Sequence, residues 1–204
     1  MNIPTILTSF RILLSPLFFF SFFFPLWTGF GTFAAVVILW VTFLIIEISD
    51  MVDGYLARAW DQVTDTGKLL DPFADVIARL TYFVCFVATG IMPAWAFLPI
   101  LYRELGVTYL RMIMYKDGFA LAANRGGKLK AVLYAISGGL GIAIHTCARM
   151  SLFPEYLDTL YTTGKVFFTI AAIVSLLSFF DYCLVFLRHR KSAARKDGKT
   201  GARQ

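Results

Sequence analysis

The fold and the chemistry of this chain are decided by two short stretches separated by eight residues, DMVDGYLAR at residues 50–58 and GKLLDPFAD at residues 67–75. They lie between two apolar runs and carry four carboxylates, one pair three residues apart and the other pair four residues apart. On helices, both spacings place a pair of side chains on one face. An antiparallel helix pair joined by a short loop would bring all four together: Asp50, Asp53, Asp71 and Asp75.

The composition around this motif is typical of an integral membrane protein. Of the 204 residues, 58% are hydrophobic and 16% are charged, whereas soluble domains carry about 25% charged residues. A membrane-spanning helix needs about 20 mostly apolar residues. Six segments meet this requirement and predict one all-α bundle of six transmembrane helices, over approximately residues 8–27, 32–58, 67–90, 94–115, 128–148 and 160–189.

The ends of the chain and the connections between spans predict its orientation. A short amphipathic segment precedes the first span, and the single domain over residues 1–190 is followed by a basic tail, residues 191–204, that we expect to be mobile. Lys and Arg concentrate in the second and fourth connections and in this tail. Because cytoplasmic loops carry the excess of Lys and Arg, both termini and the carboxylate motif are expected at the cytoplasmic face of the inner membrane. The net charge of +6 suits anionic lipid better than nucleic acid.

The carboxylate motif favours a site for divalent cations. Four carboxylates close together near lipid would repel each other and become protonated unless cations neutralised them. Oxygen ligands favour Mg²⁺, Mn²⁺ or Ca²⁺, and two ions about 4 Å apart would form a clamp for phosphoryl transfer. Gly54 would let a ligand approach the backbone, Ala57 keeps that helix face open, and Arg58 can bind a phosphate with two donors. Thr64 and Thr66 offer hydroxyl groups.

The pattern Asp50-x2-Asp53-Gly54-x2-Ala57-Arg58-x8-Gly67-x3-Asp71-x3-Asp75 resembles the complete signature of the CDP-alcohol phosphotransferase family. The resemblance implies a six-helix, usually dimeric membrane enzyme in which an alcohol displaces CMP from a CDP-linked substrate. It implies two Mg²⁺ or Mn²⁺ ions held by the four aspartates, with Asp75 also acting as the base that deprotonates the acceptor hydroxyl. The residues implied to contact the CDP donor are Gly54, Ala57, Arg58, Thr64 and Gly67.

A second group of residues indicates which alcohol is the acceptor. Arg103 and Arg111 are separated by about 80° around a helix axis, so both can face one pocket. Lys128 and Lys130 lie at the start of the fifth helix, where free backbone N–H groups attract anions. The four cations together predict an acceptor that carries its own phosphate. The alternative for Arg103 is an ion pair with Glu104 or with an embedded carboxylate such as Glu47, and the alternative for the lysines is an ordinary positive-inside role.

This part of the chain is similar to bacterial phosphatidylglycerophosphate synthases in three segments: Asn2-Ile3-Pro4-x2-Leu7-Thr8-x2-Arg11, Arg103-Glu104-x6-Arg111 and Gly127-Lys128-x-Lys130. The similarity implies CDP-diacylglycerol as donor and glycerol 3-phosphate as acceptor, with its phosphate held by the two arginines and the two lysines. Ala131 and Glu47 depart from the usual pattern; Glu47 could contact a metal or pair with Arg79 or Arg103.

Other functions remain open from the sequence. The same family includes enzymes that use inositol phosphate, serine, choline or another alcohol. A divalent-cation transporter would explain the carboxylates but gives no reason for Gly54, Arg58 or Gly67, and a polyprenyl transferase would need a second aspartate-rich motif that the sequence lacks. His145 is expected to be a packed, hydrogen-bonded histidine rather than a ligand, and residues 138–141 (GGLG) are expected to allow close helix packing. Lys165 and Asp181 could pair with other elements or line a cavity.

Overall fold

The computed structural model describes the backbone of residues 3–59, 65–116 and 125–201, and the side chains of residues 9–49, 72–115, 129–188 and 190. The described residues form six long helices and one short 3₁₀ turn, Pro154–Tyr156, between the last two. In chain order the helices are α1 Ile3–Thr28, α2 Thr32–Ala59, α3 Asp65–Ala88, α4 Ala94–Lys116, α5 Arg125–Arg149 and α6 Leu157–Gly201.

Each of the six predicted segments corresponds to one helix, and α1 and α6 extend furthest beyond the predicted bounds. Helix α1 begins at Ile3, so the predicted amphipathic segment is part of this helix and not separate from it. Pro4 is tolerated because backbone N–H groups in the first turn of a helix have no intrahelical acceptor, so the N–H that proline lacks costs no hydrogen bond. The backbone of α6 is helical to Gly201. Residues 191–201 therefore extend this helix, which is consistent with the high helix propensity of their Ala, Arg and Lys residues.

Four of the described helices contain segments long and apolar enough to cross a membrane, which indicates a membrane protein. These segments are Ser9–Thr28, Thr32–Ser49, Leu129–Arg149 and Pro154–Arg188. Among the described residues, α3 and α4 contain no such segment; α4 carries Arg103, Glu104 and Arg111 in its interior.

Helix α3 lies at the centre of the bundle and packs against α1, α4 and α5. Its aromatic residues form the middle of the core, in which ring edges meet ring faces. The Phe83 ring lies 5.4 Å from the Tyr134 ring of α5 and 5.7 Å from the Phe168 ring of α6, between centroids, and both pairs are nearly perpendicular. Such edge-to-face pairs add stabilisation beyond the burial of their area. The core therefore fixes α3 relative to both C-terminal helices.

The small residues of α5 allow close packing within the chain, as predicted. A Cβ atom at Gly138 would approach Phe43 to 2.9 Å, and one at Gly141 would approach Phe86 to 2.5 Å. His145 follows on the same helix and is 3% exposed; its ring stacks on Phe22 at 3.8 Å between centroids. The predicted packing of His145 is therefore confirmed, whereas its predicted hydrogen bond stays a prediction.

Gly141→Ala is expected to destabilise the protein because the added methyl group would collide with the buried Phe86 ring. Overpacking a core of this kind costs about 1–3 kcal/mol. Gly139→Ala is the matched control, since its Cβ atom would be 3.8 Å from the nearest ring atom. Thermal unfolding in detergent should give a lower midpoint for Gly141→Ala than for Gly139→Ala. Equal midpoints would contradict the packing described here.

Candidate active site

A cavity of about 170 Å³ lies among α3, α4, α5 and α6 and collects most of the charged residues that the structure describes within the bundle. The elements bring them together because Asp75 lies in the first half of α3, Arg111 in the second half of α4, and Lys130 early in α5. Four cationic residues and two carboxylates line the cavity: Arg79, Arg103, Arg111, Lys130, Asp75 and Glu104.

Glu104 links two of the predicted phosphate ligands. Its Oε1 atom accepts hydrogen bonds from Arg103 Nη1 at 3.0 Å and from Lys130 Nζ at 2.8 Å. All three residues are buried, with exposures of 3–5%, and the Lys130 ammonium also lies 4.7 Å from the centre of the Tyr134 ring. A buried charge is tolerated when it is paired and hydrogen-bonded. The ion pair between Arg103 and Glu104, one of the alternatives left open from the sequence, is therefore present. Arg103 also lines the cavity.

Arg103 and Arg111 of α4 both line the cavity, and each has one buried donor without a partner among the described residues. Arg103 Nη2 donates to Ser178 Oγ at 3.2 Å, and Arg111 Nη2 donates to the Tyr182 hydroxyl at 3.2 Å. The Nε–H group of each arginine is buried without a hydrogen-bond partner in the part of the chain that the structure describes. Because unpaired buried donors are costly, these groups indicate a ligand with acceptor atoms, such as a phosphate.

Asp75 contacts Arg11, a residue for which no role was predicted from the sequence. Arg11 Nη1 of α1 donates to Asp75 Oδ1; Arg11 is fully buried, whereas the Asp75 side chain is 19% exposed. The signal that could have identified Arg11 is its position within an apolar span, since embedded charged residues are usually paired and functional. Glu47 likewise accepts a hydrogen bond, at 3.1 Å, from the hydroxyl of Tyr82, a partner not considered from the sequence.

Several predicted site residues have a described backbone, but their side chains lie outside the described part of the structure. The backbone of α2 includes Asp50, Asp53, Gly54, Ala57 and Arg58, that of α3 includes Gly67 and Asp71, and that of α5 includes Lys128. Thr64 lies outside the described residues. Lys165 and Asp181 are exposed and do not line the cavity.

The described side chains contain no group of three or more potential metal ligands. Of the four aspartates in the motif, only Asp75 has a described side chain. Asp75 nevertheless fits the predicted role, because it is partly exposed and lies at the edge of the cavity. The donor set also fits, since four carboxylates provide the oxygen ligands that Mg²⁺ and Mn²⁺ prefer.

Comparison with known proteins shows the family of the chain. A family model described as CDP-alcohol phosphatidyltransferase matches residues 1–177, which include the whole carboxylate motif and both α4 arginines. The chain belongs to the CDP-alcohol phosphatidyltransferase family. The family description is that of a transferase, in agreement with the resemblance noted from the motif.

Individual members of the CDP-alcohol phosphatidyltransferase family are similar over much of the chain. A CDP-diacylglycerol–glycerol-3-phosphate 3-phosphatidyltransferase of Treponema pallidum is 35% identical over 150 residues, 71% of this chain and 67% of its own length. A probable phosphatidylglycerophosphate synthase of Mycobacterium tuberculosis is 36% identical over 166 residues, 79% and 78% of the two chains. The transferase of Escherichia coli with the same name as the first is 31% identical over 201 residues, 96% of both chains.

Proposed function

We propose that this protein transfers the phosphatidyl group of CDP-diacylglycerol to glycerol 3-phosphate, releasing CMP and forming phosphatidylglycerophosphate in phospholipid biosynthesis. The observation that carries the proposal is that Arg103 and Arg111, which line the same cavity as Asp75, each keep a buried Nε–H group without a partner in the described part of the chain. A phosphate-bearing acceptor supplies the oxygen atoms that these donors lack. The names of the relatives support the same donor and acceptor.

The acceptor phosphate is held by Arg103, Arg111, Lys128 and Lys130, which leaves the acceptor hydroxyl to face Asp75. Asp75 takes the hydroxyl proton as the oxygen attacks the lipid-bearing phosphorus of the donor. A new P–O bond forms to glycerol 3-phosphate, the P–O bond to CMP breaks, and CMP leaves with the bonding electron pair. The contacts proposed for the CDP donor are Gly54, Ala57, Arg58, Thr64 and Gly67.

The family resemblance implies two divalent cations, Mg²⁺ or Mn²⁺, held by Asp50, Asp53, Asp71 and Asp75. When bound, such ions offset the negative charge of the diphosphate and of the departing CMP. The same resemblance leads us to expect a homodimer.

All six helices are proposed to cross the inner membrane, with both termini and the cavity on the cytoplasmic side. Among the described residues of α3 and α4, no segment is both long and apolar enough to count as a span, and both helices bury charged side chains, such as Arg79 and Glu104. Their exposed residues include large apolar ones, among them Val84, Leu98 and Leu105. Charged residues directed inward and apolar residues directed outward are what a span that lines a polar site requires.

The acceptor is tested by measuring CMP release from CDP-diacylglycerol by the purified protein with Mg²⁺ or Mn²⁺. Glycerol 3-phosphate is expected to support turnover, whereas serine and choline, which carry no phosphate, are not. Turnover with inositol phosphate alone would reassign the acceptor within the family. Cation flux into liposomes without any CMP release would instead favour a transporter.

Arg111→Gln is expected to raise the KM for glycerol 3-phosphate about 10-fold or more, the scale of one lost hydrogen bond to a charged group. The KM for CDP-diacylglycerol should change little, because Arg111 is not among the proposed donor contacts. Arg149→Gln removes the same charge from an exposed position at the far end of α5 and serves as the control. An unchanged KM for glycerol 3-phosphate in Arg111→Gln would contradict the assignment of the cavity.

A further inference from the structure

Helix α6 contributes two buried side chains to the arginines of α4. Ser178 and Tyr182 are each 2% exposed and stand four residues apart, so they share one face of the helix. Each accepts one hydrogen bond from a terminal guanidinium nitrogen, Ser178 from Arg103 and Tyr182 from Arg111, both at 3.2 Å. Neither residue contributes to the carboxylate motif, and both lie beyond the stretch 1–177 that the family model matches.

The Tyr182 ring also contacts both arginines directly. The guanidinium carbon of Arg103 lies 5.5 Å from the ring centroid, and that of Arg111 lies 5.7 Å from it. Both distances are within the range of cation–π attraction. The two arginines are eight residues apart, a rise of about 12 Å along α4, yet both side chains reach the same ring. One aromatic residue therefore draws two like charges toward each other.

These contacts leave a defined part of each guanidinium for a ligand. In Arg103, Nη1 is bound by Glu104 and Nη2 by Ser178, and in Arg111, Nη2 is bound by Tyr182. The Nε–H group of each arginine is the buried donor without a partner among the described residues. Because arginine binds phosphate through donors in a fixed planar arrangement, fixing the terminal nitrogens also fixes the direction of Nε–H.

We propose that Ser178 and Tyr182 are positioning residues that orient Arg103 and Arg111 toward the phosphate of the acceptor. This inference rests on the proposed function, since it assumes that the cavity binds a phosphomonoester. Tyr182 also lines the cavity, but the role proposed for both residues is exerted through the arginines: they determine how well Arg103 and Arg111 distinguish a phosphorylated acceptor from one without a phosphate.

The experiment compares four variants of the full-length protein in the CMP-release assay, with both substrates varied. Tyr182→Leu removes the ring and the hydroxyl and is expected to raise the KM for glycerol 3-phosphate about 10-fold. Tyr182→Phe keeps the ring, and Ser178→Ala removes one hydrogen bond; each is expected to raise that KM about 3-fold. The KM for CDP-diacylglycerol should stay within about 2-fold of the wild-type value in all three variants. Tyr109→Leu replaces a tyrosine of α4 that is 64% exposed and should change neither KM.

The outcomes separate the inference from the proposed function. If the wild-type protein uses glycerol 3-phosphate and the α6 variants keep its KM, the inference is overturned and the proposed function stands. An equal rise in both KM values would also overturn it, because it would show a general loss of structure. If Tyr182→Leu does not fold, Tyr182→Phe and Ser178→Ala decide the question by the same criterion. Absence of wild-type turnover with glycerol 3-phosphate would overturn both.

Discussion

Replacing Asp75 by asparagine is expected to lower turnover by more than about 100-fold, the size of effect that general-base catalysis supplies. Asparagine has nearly the same shape, but its amide cannot accept the proton of the acceptor hydroxyl. The rate is measured as CMP release with both substrates saturating, so that weakened binding does not affect the result. Asp158→Asn is the matched control, because Asp158 is exposed in the first turn of α6.

Two further measurements on Asp75→Asn separate its proposed roles. Binding of Mn²⁺ to the purified variant tests the role as a metal ligand; retained binding together with lost turnover identifies Asp75 as the base. Thermal unfolding tests the contact with Arg11, which the substitution would leave buried beside a neutral group. Turnover close to that of the wild-type protein would exclude Asp75 as the base.

Glu104→Gln is expected to cause the largest loss of stability. The substitution keeps the shape of the side chain but leaves Arg103 and Lys130 buried without the carboxylate that both contact. Removing one partner of a buried ion pair costs about 3–5 kcal/mol. The midpoint of thermal unfolding in detergent should therefore fall clearly below that of Glu155→Gln, a control at an exposed site.

A double variant tests whether the loss arises from unbalanced charge. Adding Lys130→Met to Glu104→Gln removes one of the two uncompensated cations, so the double variant is expected to be less destabilised than the sum of the two single variants. Stability is the measurement here, because Lys130 is itself a proposed phosphate ligand. Additive losses, or a Glu104→Gln variant as stable as the wild-type protein, would contradict the role of Glu104 as the shared counter-charge.

The positions of the helices were predictable because long apolar segments determine them. Part of the site was predictable for a similar reason: the angular separation of Arg103 and Arg111 follows from helix geometry, and both line one cavity. The carboxylate motif was recognised from its spacing and its resemblance to the family signature, and its role remains a prediction for all four aspartates.

The partners of these residues were not predictable, because they come from distant parts of the chain. Tyr182 is 71 residues from Arg111, and Arg11 is 64 residues from Asp75. The hydrophobic pattern shows that α1 and α6 are apolar, but it does not show which face of each helix meets the cavity. Glu104 was considered only as a partner of Arg103, since the approach of Lys130 depends on how α5 packs against the other helices.

The inward charges and outward apolar residues of α3 and α4 have a consequence for the topology of the chain. These two helices are consecutive, so counting both or neither as spans leaves an even number of crossings. A reporter fused to either end of the chain would therefore give the same sidedness for four spans and for six. Only a label in the connection between α3 and α4, around Gly90, distinguishes the two topologies, since that connection changes sides of the membrane.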